Sequence, residues 1–403
     1  MNKFIKSLLL TALAVSASHV QATTYTNKTT LVPRSHGVNL ALENTAGWYD
    51  LIHRKADDKF GGNFQAAFFY ADSTNKKELG KYFGVDSVNS FTFAIPAGAI
   101  GANTGTQFGI GDNNDLNTFA FIHDQANAVG AETKVATATL NPEQKAIGVY
   151  FNYHQDFCKI LEGLYLRINL PVVNVENNAN LNIVGVTPAP AGNANATTLT
   201  QFFNGTLPNP AVLAANSQVP LTNALLTNQK SSYTGVADID IILGYDFLAK
   251  EEFHASINLG LSIPTGNKPD GKRVFQAIVG NGQYVGFGAG LDLGACFWGE
   301  EGEGGVRVHG ALNYRYLFES REKRTLGIKG QQYGQYELLG TVNNPAAAAP
   351  LIPAANVTTL NVNVTPGSQV DAIIALGYGM WGLTFDVGYN LLDRKSTRLN
   401  SSH

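Results

Sequence analysis

The residues with the reach for chemistry are few, and their spacing is that of extended strands. His254 and Ser256 lie two apart, so they point to one side of a strand. A Ser–His pair serves nucleophilic hydrolysis, but the sequence assigns it no third partner, and polar groups wetting an interior are the preferred reading. Asp238 and Asp240 share that spacing. Paired carboxylates act as acid and base; beside Arg167, Arg307 and Arg315 they instead form one side of a transverse field across a pore. Pore lining is favoured over inert ion pairs, and both over catalysis. Asp112-Asn113-Asn114-Asp115 offers oxygen ligands for a hard cation without the spacing of a full cation loop, and is taken as a solvated turn. Gly286, Gly288 and Gly290 fall inside a strand pattern. The strand-to-helix turn that a phosphate loop needs is absent there, so they are small residues on one side of a strand. There is no H-E-x-x-H, G-x-S-x-G or C-x-x-C. The expectation is a chain that is not an enzyme, with no catalytic residue, metal or cofactor.

The elements that position these residues begin after Met1–Ala22. Lys3 and Lys6, the apolar stretch Leu8–Val15 and Val20-Gln21-Ala22 form a cleavable export signal. Residues 23–62 make an N-terminal segment. Within it Leu31–Arg54 has a helical pattern, carried by Val38, Leu40, Leu42, Trp48, Leu51 and Ile52. From Asn63 the apolar period changes to two. Nine strands are expected: Asn63–Ala71, Lys145–His154, Leu164–Asn174, Val236–Phe247, Phe253–Ile263, Val285–Phe297, Val306–Phe318, Val370–Tyr378 and Trp381–Leu392. Most approach the ~9–11 residues of a tilted membrane strand.

From the second strand on, one face of each strand is apolar, as in Ile147, Val149, Phe151 and Tyr153 or Ala237, Ile239, Ile241 and Leu243. It carries no charge. The opposite face holds Arg167, Asp238, Asp240, Asp246, His254, Asp292, Arg307, His309, Arg315, Asp371 and Asp386, the pore-lining candidates. A charge facing lipid costs roughly 2–4 kcal/mol for Arg or Lys at mid-bilayer, so a lipid-facing wall accounts for the exclusion. A soluble sandwich would not impose it on every strand. Acidic groups outnumber Arg on the polar face, which points to a mild cation preference.

Connections alternate between short and long. The long ones are Asp72–Gln144, Val175–Gly235, Pro264–Tyr284 and Glu319–Gln369, as expected of short periplasmic turns facing long outer loops. Aromatic residues such as Tyr153, Tyr245, Phe247, Phe253, Phe297, Trp298, Tyr378 and Trp381 gather at the short-turn ends, like an interfacial girdle. Val175–Thr234 and Asn343–Pro366, rich in Asn, Ala, Thr and Pro, are expected to bury little and to lie outside or over the pore. The bulk composition agrees with strands: 22 Phe and 16 Tyr against 2 Met, and only 15% charged residues. A net charge of −3 without a basic stripe argues against nucleic acid. Cys158 and Cys296, on strands well apart in order, are expected not to bond each other.

At Leu261–Gly271 the sequence LSIPTGNKPDG ends a strand in Pro-Thr-Gly and opens a loop. With the export signal and the strand rhythm, this resembles bacterial outer-membrane β-barrels of the porin-like and transporter kind. The resemblance implies an all-β fold, a transmembrane antiparallel up-and-down barrel over residues 63–392 with a short N-terminal helix. Its partners would be outer-membrane lipid and small solutes, with assembly of identical chains compatible. Asp393–His403, DRKSTRLNSSH, resembles a translated sequencing adapter. The native chain is therefore read as ending at Leu392 with its last strands missing, about ten to fourteen in the intact barrel. The leading functional expectation is passive diffusion of small hydrophilic solutes. The alternatives are uptake of apolar compounds, with Leu31–Arg54 as a plug, and a surface structural or adhesive barrel.

Overall fold

The computed structural model describes residues 30, 35–37, 39–45, 61–84, 88–95, 115–117, 133–185, 196–206, 219–250, 253–298, 304–327, 333–339, 352–380, 383–394 and 398–400. The export signal, Asp112–Asn114 and much of the helical stretch Leu31–Arg54 lie outside the described residues.

Nine strand positions form one antiparallel sheet, each hydrogen-bonded to its neighbour in chain order. Numbered along the chain, they are β1 (Gly62–Asp72), β5 (Glu143–Asp156), β6 (Leu164–Asn178), β9 (Ile239–Ala249), β10 (Phe253–Ile263), β11 (Gly286–Trp298), β12 (Gly304–Leu317), β17 (Gly367–Met380) and β18 (Leu383–Arg394). The sheet curls into a half-barrel. Its outer strands β1 and β18 do not pair with each other among the described residues. The short turns are built for reversal. Between β5 and β6 the Phe157 amide donates to the Leu164 carbonyl at 2.8 Å, and Gly163 takes a φ of 83° that a side chain would resist.

The fourth strand position differs from its expected form. Val236–Phe247 is interrupted, and β8 (Ser231–Val236) pairs the upper part of β6 while β9 pairs the lower part. Val172 pairs Val236 and Asn169 pairs Asp240, so Leu170 and Pro171 face three residues, 237–239. This is a bulge with one extra residue, at a proline that has no amide to give the ladder. The extra residue resets the alternation. Ala237, expected on the outward apolar face, is fully buried instead, packed with Ala146, Val173, Val175, Ala277 and Val279.

Burial across this wall is inverted relative to a water-soluble sheet. Phe68 is 84% exposed and Val387 78%, and Leu243, Ile257, Leu259, Phe287, Leu312 and Leu376 are exposed with them. The other face buries Asn152, His154, Arg167, Asn169, Asp240, His254, Ser256, Asp292, Arg315 and Asp371. Period-two patterning thus places apolar groups outward and polar groups on the concave side.

The long connections fold together at one end as a cap. It contains α2 (Lys76–Phe83), the sheet of β2 (Ser90–Ile95), β3 (Asp115–Asn117), β4 (Thr133–Leu140) and β7 (Leu181–Gly185), and α3 (Ala196–Phe203). It also contains β13 (Ser320–Thr325), β14 (Leu338–Leu339), β15 (Ile352–Pro353), α4 (Ala354–Thr358), β16 (Thr359–Thr365) and β19 (Arg398–Asn400). The expectation that Val175–Thr234 and Asn343–Pro366 bury little is corrected. Phe83, Phe91, Phe93, Leu199, Phe202, Phe203, Phe275, Tyr333 and Tyr336 share one buried core with Leu221 and Leu226. Phe203 meets Tyr336 edge-on at 5.1 Å and Phe91 meets Tyr333 at 5.4 Å, a geometry favoured by ring quadrupoles. The phenols tie different loops together: Tyr333 donates to the Phe83 carbonyl and Tyr336 to that of Ala224. Of the suspected tail, Asp393 and Arg394 extend β18 and Arg398–Asn400 pairs with β16.

Candidate functional site: the concave face

The short helix α1 (Leu40–Thr45) lies on the concave face of the wall. Asn39 caps it, its Oδ1 accepting from the Ala41 and Leu42 amides, which removes unpaired amides of the first turn. Leu40 packs on Ala311 and Ile373. The Leu40 amide donates to Asp371 Oδ2 at 3.4 Å. Glu43 reaches furthest into the wall. Its Oε1 accepts from Asn169 Nδ2 at 3.0 Å, and its Oε2 lies 3.4 Å from Arg167 Nη2. His36 stacks on Phe69 of β1 with ring centroids 5.5 Å apart.

The pore-lining candidates divide into three groups. At mid-height Arg167 binds Glu43, Arg315 Nη2 meets Asp240 Oδ2 at 3.3 Å, and Asp371 binds Leu40 and Asn390. Arg167 is 1% exposed. A guanidinium held there requires an opposite charge; Glu43 of α1 lies beside it and Asp240 is within its field.

Toward the short-turn end lie Asp246, His254, Asp292, Arg307, His309 and Asp386. Asp292 accepts from Asn258 Nδ2 at 2.9 Å, with Ser256 Oγ at 3.5 Å from the same oxygen. His254 and His309 stack at 6.3 Å. His154 Nε2 lies 2.9 Å from Asp156 and its ring stacks on Tyr165. Ser256 meets the Tyr165 hydroxyl at 3.3 Å, so the expected Ser–His neighbours turn to different partners. Asp386, on the outer strand β18, is exposed; it and Arg307 flank Gly377. Glycines on this face make room for rings: a Cβ on Gly294 would strike His254, and one on Gly244 would strike Tyr165.

Asp238 takes different hydrogen-bond partners from Asp240. The bulge turns it to the connection 264–284, where its Oδ2 accepts from the Asn281 amide at 2.7 Å. That connection folds inward, placing Ala277 and Val279 against the upper concave face. Asn281 closes its turn by bonding both the amide and the carbonyl of Tyr284. Asp238 is therefore an anchor for the inward loop.

Glu43, Asn152, His154, Asp156, Tyr165, Asn169 and Asn281 escape the sequence reading. Parity alone could have found Asn152, His154, Tyr165 and Asn169, which sit on the polar side of their strands. Nothing in the sequence pairs Glu43 with Asn169, 126 residues away. No disulfide joins Cys158 and Cys296. Among the described residues no cluster of His, Cys, Asp and Glu is arranged to hold a metal. Compared with models of known families and with curated proteins, the chain matches none.

Proposed function

We propose that this chain is an outer-membrane β-barrel protein whose lumen is a gated passage for passive diffusion of small hydrophilic solutes. The observation that carries this is the inverted burial of the wall. A continuous exposed apolar face is costly in water and favourable against hydrocarbon, while the enclosed face is polar. In this reading the wall closes into a barrel through pairing outside the described residues. On the same reading the passage is obstructed at two levels, by α1 and the residues just before it at mid-height and by the connection 264–284 above them.

The luminal segment would serve equally in an uptake channel for apolar compounds. The lining favours hydrophilic solutes: Asn152, Asn169, Asn258, Ser256 and the paired Arg and Asp groups offer hydrogen bonds along the wall. An apolar solute would strip these groups of water without replacing their partners.

The test is reconstitution of the protein into lipid vesicles and planar bilayers. Deleting residues 35–45 is expected to raise conductance at least about tenfold, by the loss of a seated obstruction, and to admit small sugars in a swelling assay. A protein that stays monomeric and compact in buffer without detergent would overturn the membrane reading. A deletion variant that admits apolar compounds but no sugar would overturn the choice of solute.

A further inference from the structure

Four carboxylates and two guanidinium groups meet where α1 contacts the wall. Glu43 contacts Arg167 from β6 and has Tyr150 from β5 beside it, and it feels the charges of Asp240 from β9, Asp292 from β11 and Asp371 from β17; Arg315 from β12 is engaged by Asp240. The wall alone therefore brings three carboxylates against two cations, and docking α1 adds a fourth in a fully buried setting. The like charges and the loss of water both work against ionised Glu43.

We propose that the luminal segment is a proton-coupled plug with Glu43 as its latch, seating more firmly as the medium turns acidic and loosening as it turns alkaline. This rests on the channel reading above and assigns that channel its regulation.

Burial and the balance of charge set the direction. A protonated Glu43 still accepts from Asn169 through Oε1, and it relieves the excess of negative charge. Arg167 keeps Asp240 within its field. Burial foremost, opposed by Arg167 and aided by Asp292, Asp240 and Asp371, raises the seated carboxyl from 4.5 to about 7. A released segment returns it to water and to its ordinary range. The seated form thus binds the proton more tightly. Its advantage is complete below the released value and fades as pH rises through the seated one, a change of up to about two orders of magnitude in the seating equilibrium.

The test uses the full chain with two readouts. The first is the distance between nitroxides on native Cys158 and on Leu42→Cys, with Cys296→Ser, from pH 5 to pH 8. The second is conductance in planar bilayers over the same range. The expected result is one short-range population at pH 5 and growth of a second, with rising conductance, toward pH 8. E43Q is expected to hold the segment seated and the channel closed at both ends of the range. An E43Q protein that is released at every pH, or that keeps the wild-type pH profile, would overturn the latch. A pH-dependent distance with no conductance in any variant, including the 35–45 deletion, would support the latch and remove the channel reading beneath it.

Discussion

The wall and the cap use the same residue types in opposite senses. In the wall Phe68, Leu243, Leu259 and Phe385 are exposed and Arg167 is buried. In the cap Phe93, Leu199, Phe202 and Phe203 are fully enclosed and the charged side chains Lys81 and Glu78 pair at the surface. The cap is folded as a protein in water folds, by burial of apolar area. The wall is folded as if water were only on its inner side. On the proposed membrane reading one chain meets two solvents, and the boundary runs where the long connections leave the strands.

The largest effect that separates the regions is expected in the cap. Phe203→Ala removes a ring packed on Phe93, Phe202 and Tyr336, at a cost of about 3–5 kcal/mol. Hydrogen exchange should show faster opening across the cap, with β9–β12 amides unchanged. Equal loss of protection in both regions would mean that the cap and the wall are one cooperative unit.

Next comes a charge on the outer face. Leu259→Arg, at the middle of β10, is expected to cost roughly 2–4 kcal/mol when unfolding is measured from a lipid bilayer. In water a substitution at such an exposed site stays within about 0.5 kcal/mol. A cost at that lower level in vesicles would break the comparison, because the outer face would then have no hydrocarbon against it.

The two regions were unequally legible in the sequence. The wall announces itself because a period of two is local: Phe253–Ile263 was expected at the bounds β10 has, and β11 is displaced by a single residue. The bulge opposite Pro171 was hidden, since Pro171 and Ala237 lie far apart in the chain and neither segment alone breaks its alternation. The cap was hidden for a different reason. Its Asn, Ala and Thr content masks Leu199, Phe202 and Phe203, whose spacing places them on one side of a helix, and its core gathers residues from all four long connections. On the concave face only parity was legible, and not at the bulge. The partners of Arg167 and Arg315 are matters of three-dimensional approach, and Glu43 was overlooked because a helical period counts apolar residues and passes over a lone carboxylate.

Packing on the concave face gives a sharper, smaller test. Gly244→Ala and Gly260→Ala change the same residue type on the same side of adjacent strands. A Cβ on Gly244 would strike the Tyr165 ring, whereas one on Gly260 would meet Ile242 Cγ1 at an ordinary 3.8 Å. The first is expected to cost about 1–3 kcal/mol through overpacking, since Tyr165 is stacked on His154 and bonded to Ser256. The second is expected to be near neutral. Equal costs would mean that Tyr165 moves freely, and that this part of the interior is open rather than packed.

The smallest expected effect lies at the seam between the two regions. Asp238 sits at the bulge in the wall and holds the Asn281 amide of the inward connection; Gly280 beside it takes a φ of 79°, and a Cβ there would strike the carboxylate. Asp238→Asn keeps an acceptor there but weakens a charge-assisted bond to a neutral one, a change of about 0.5–1.5 kcal/mol. The Asn281 and Tyr284 amides should exchange faster, because Tyr284 depends on the turn that Asn281 closes. Amides of β10 should not change, their ladder to β9 and β11 being untouched. If the seam opens alone, the connection 264–284 belongs to the cap and only leans on the wall. If β9 and β10 loosen with it, the bulge is held in shape by the loop, and the boundary between wall and cap is drawn by Asp238 itself.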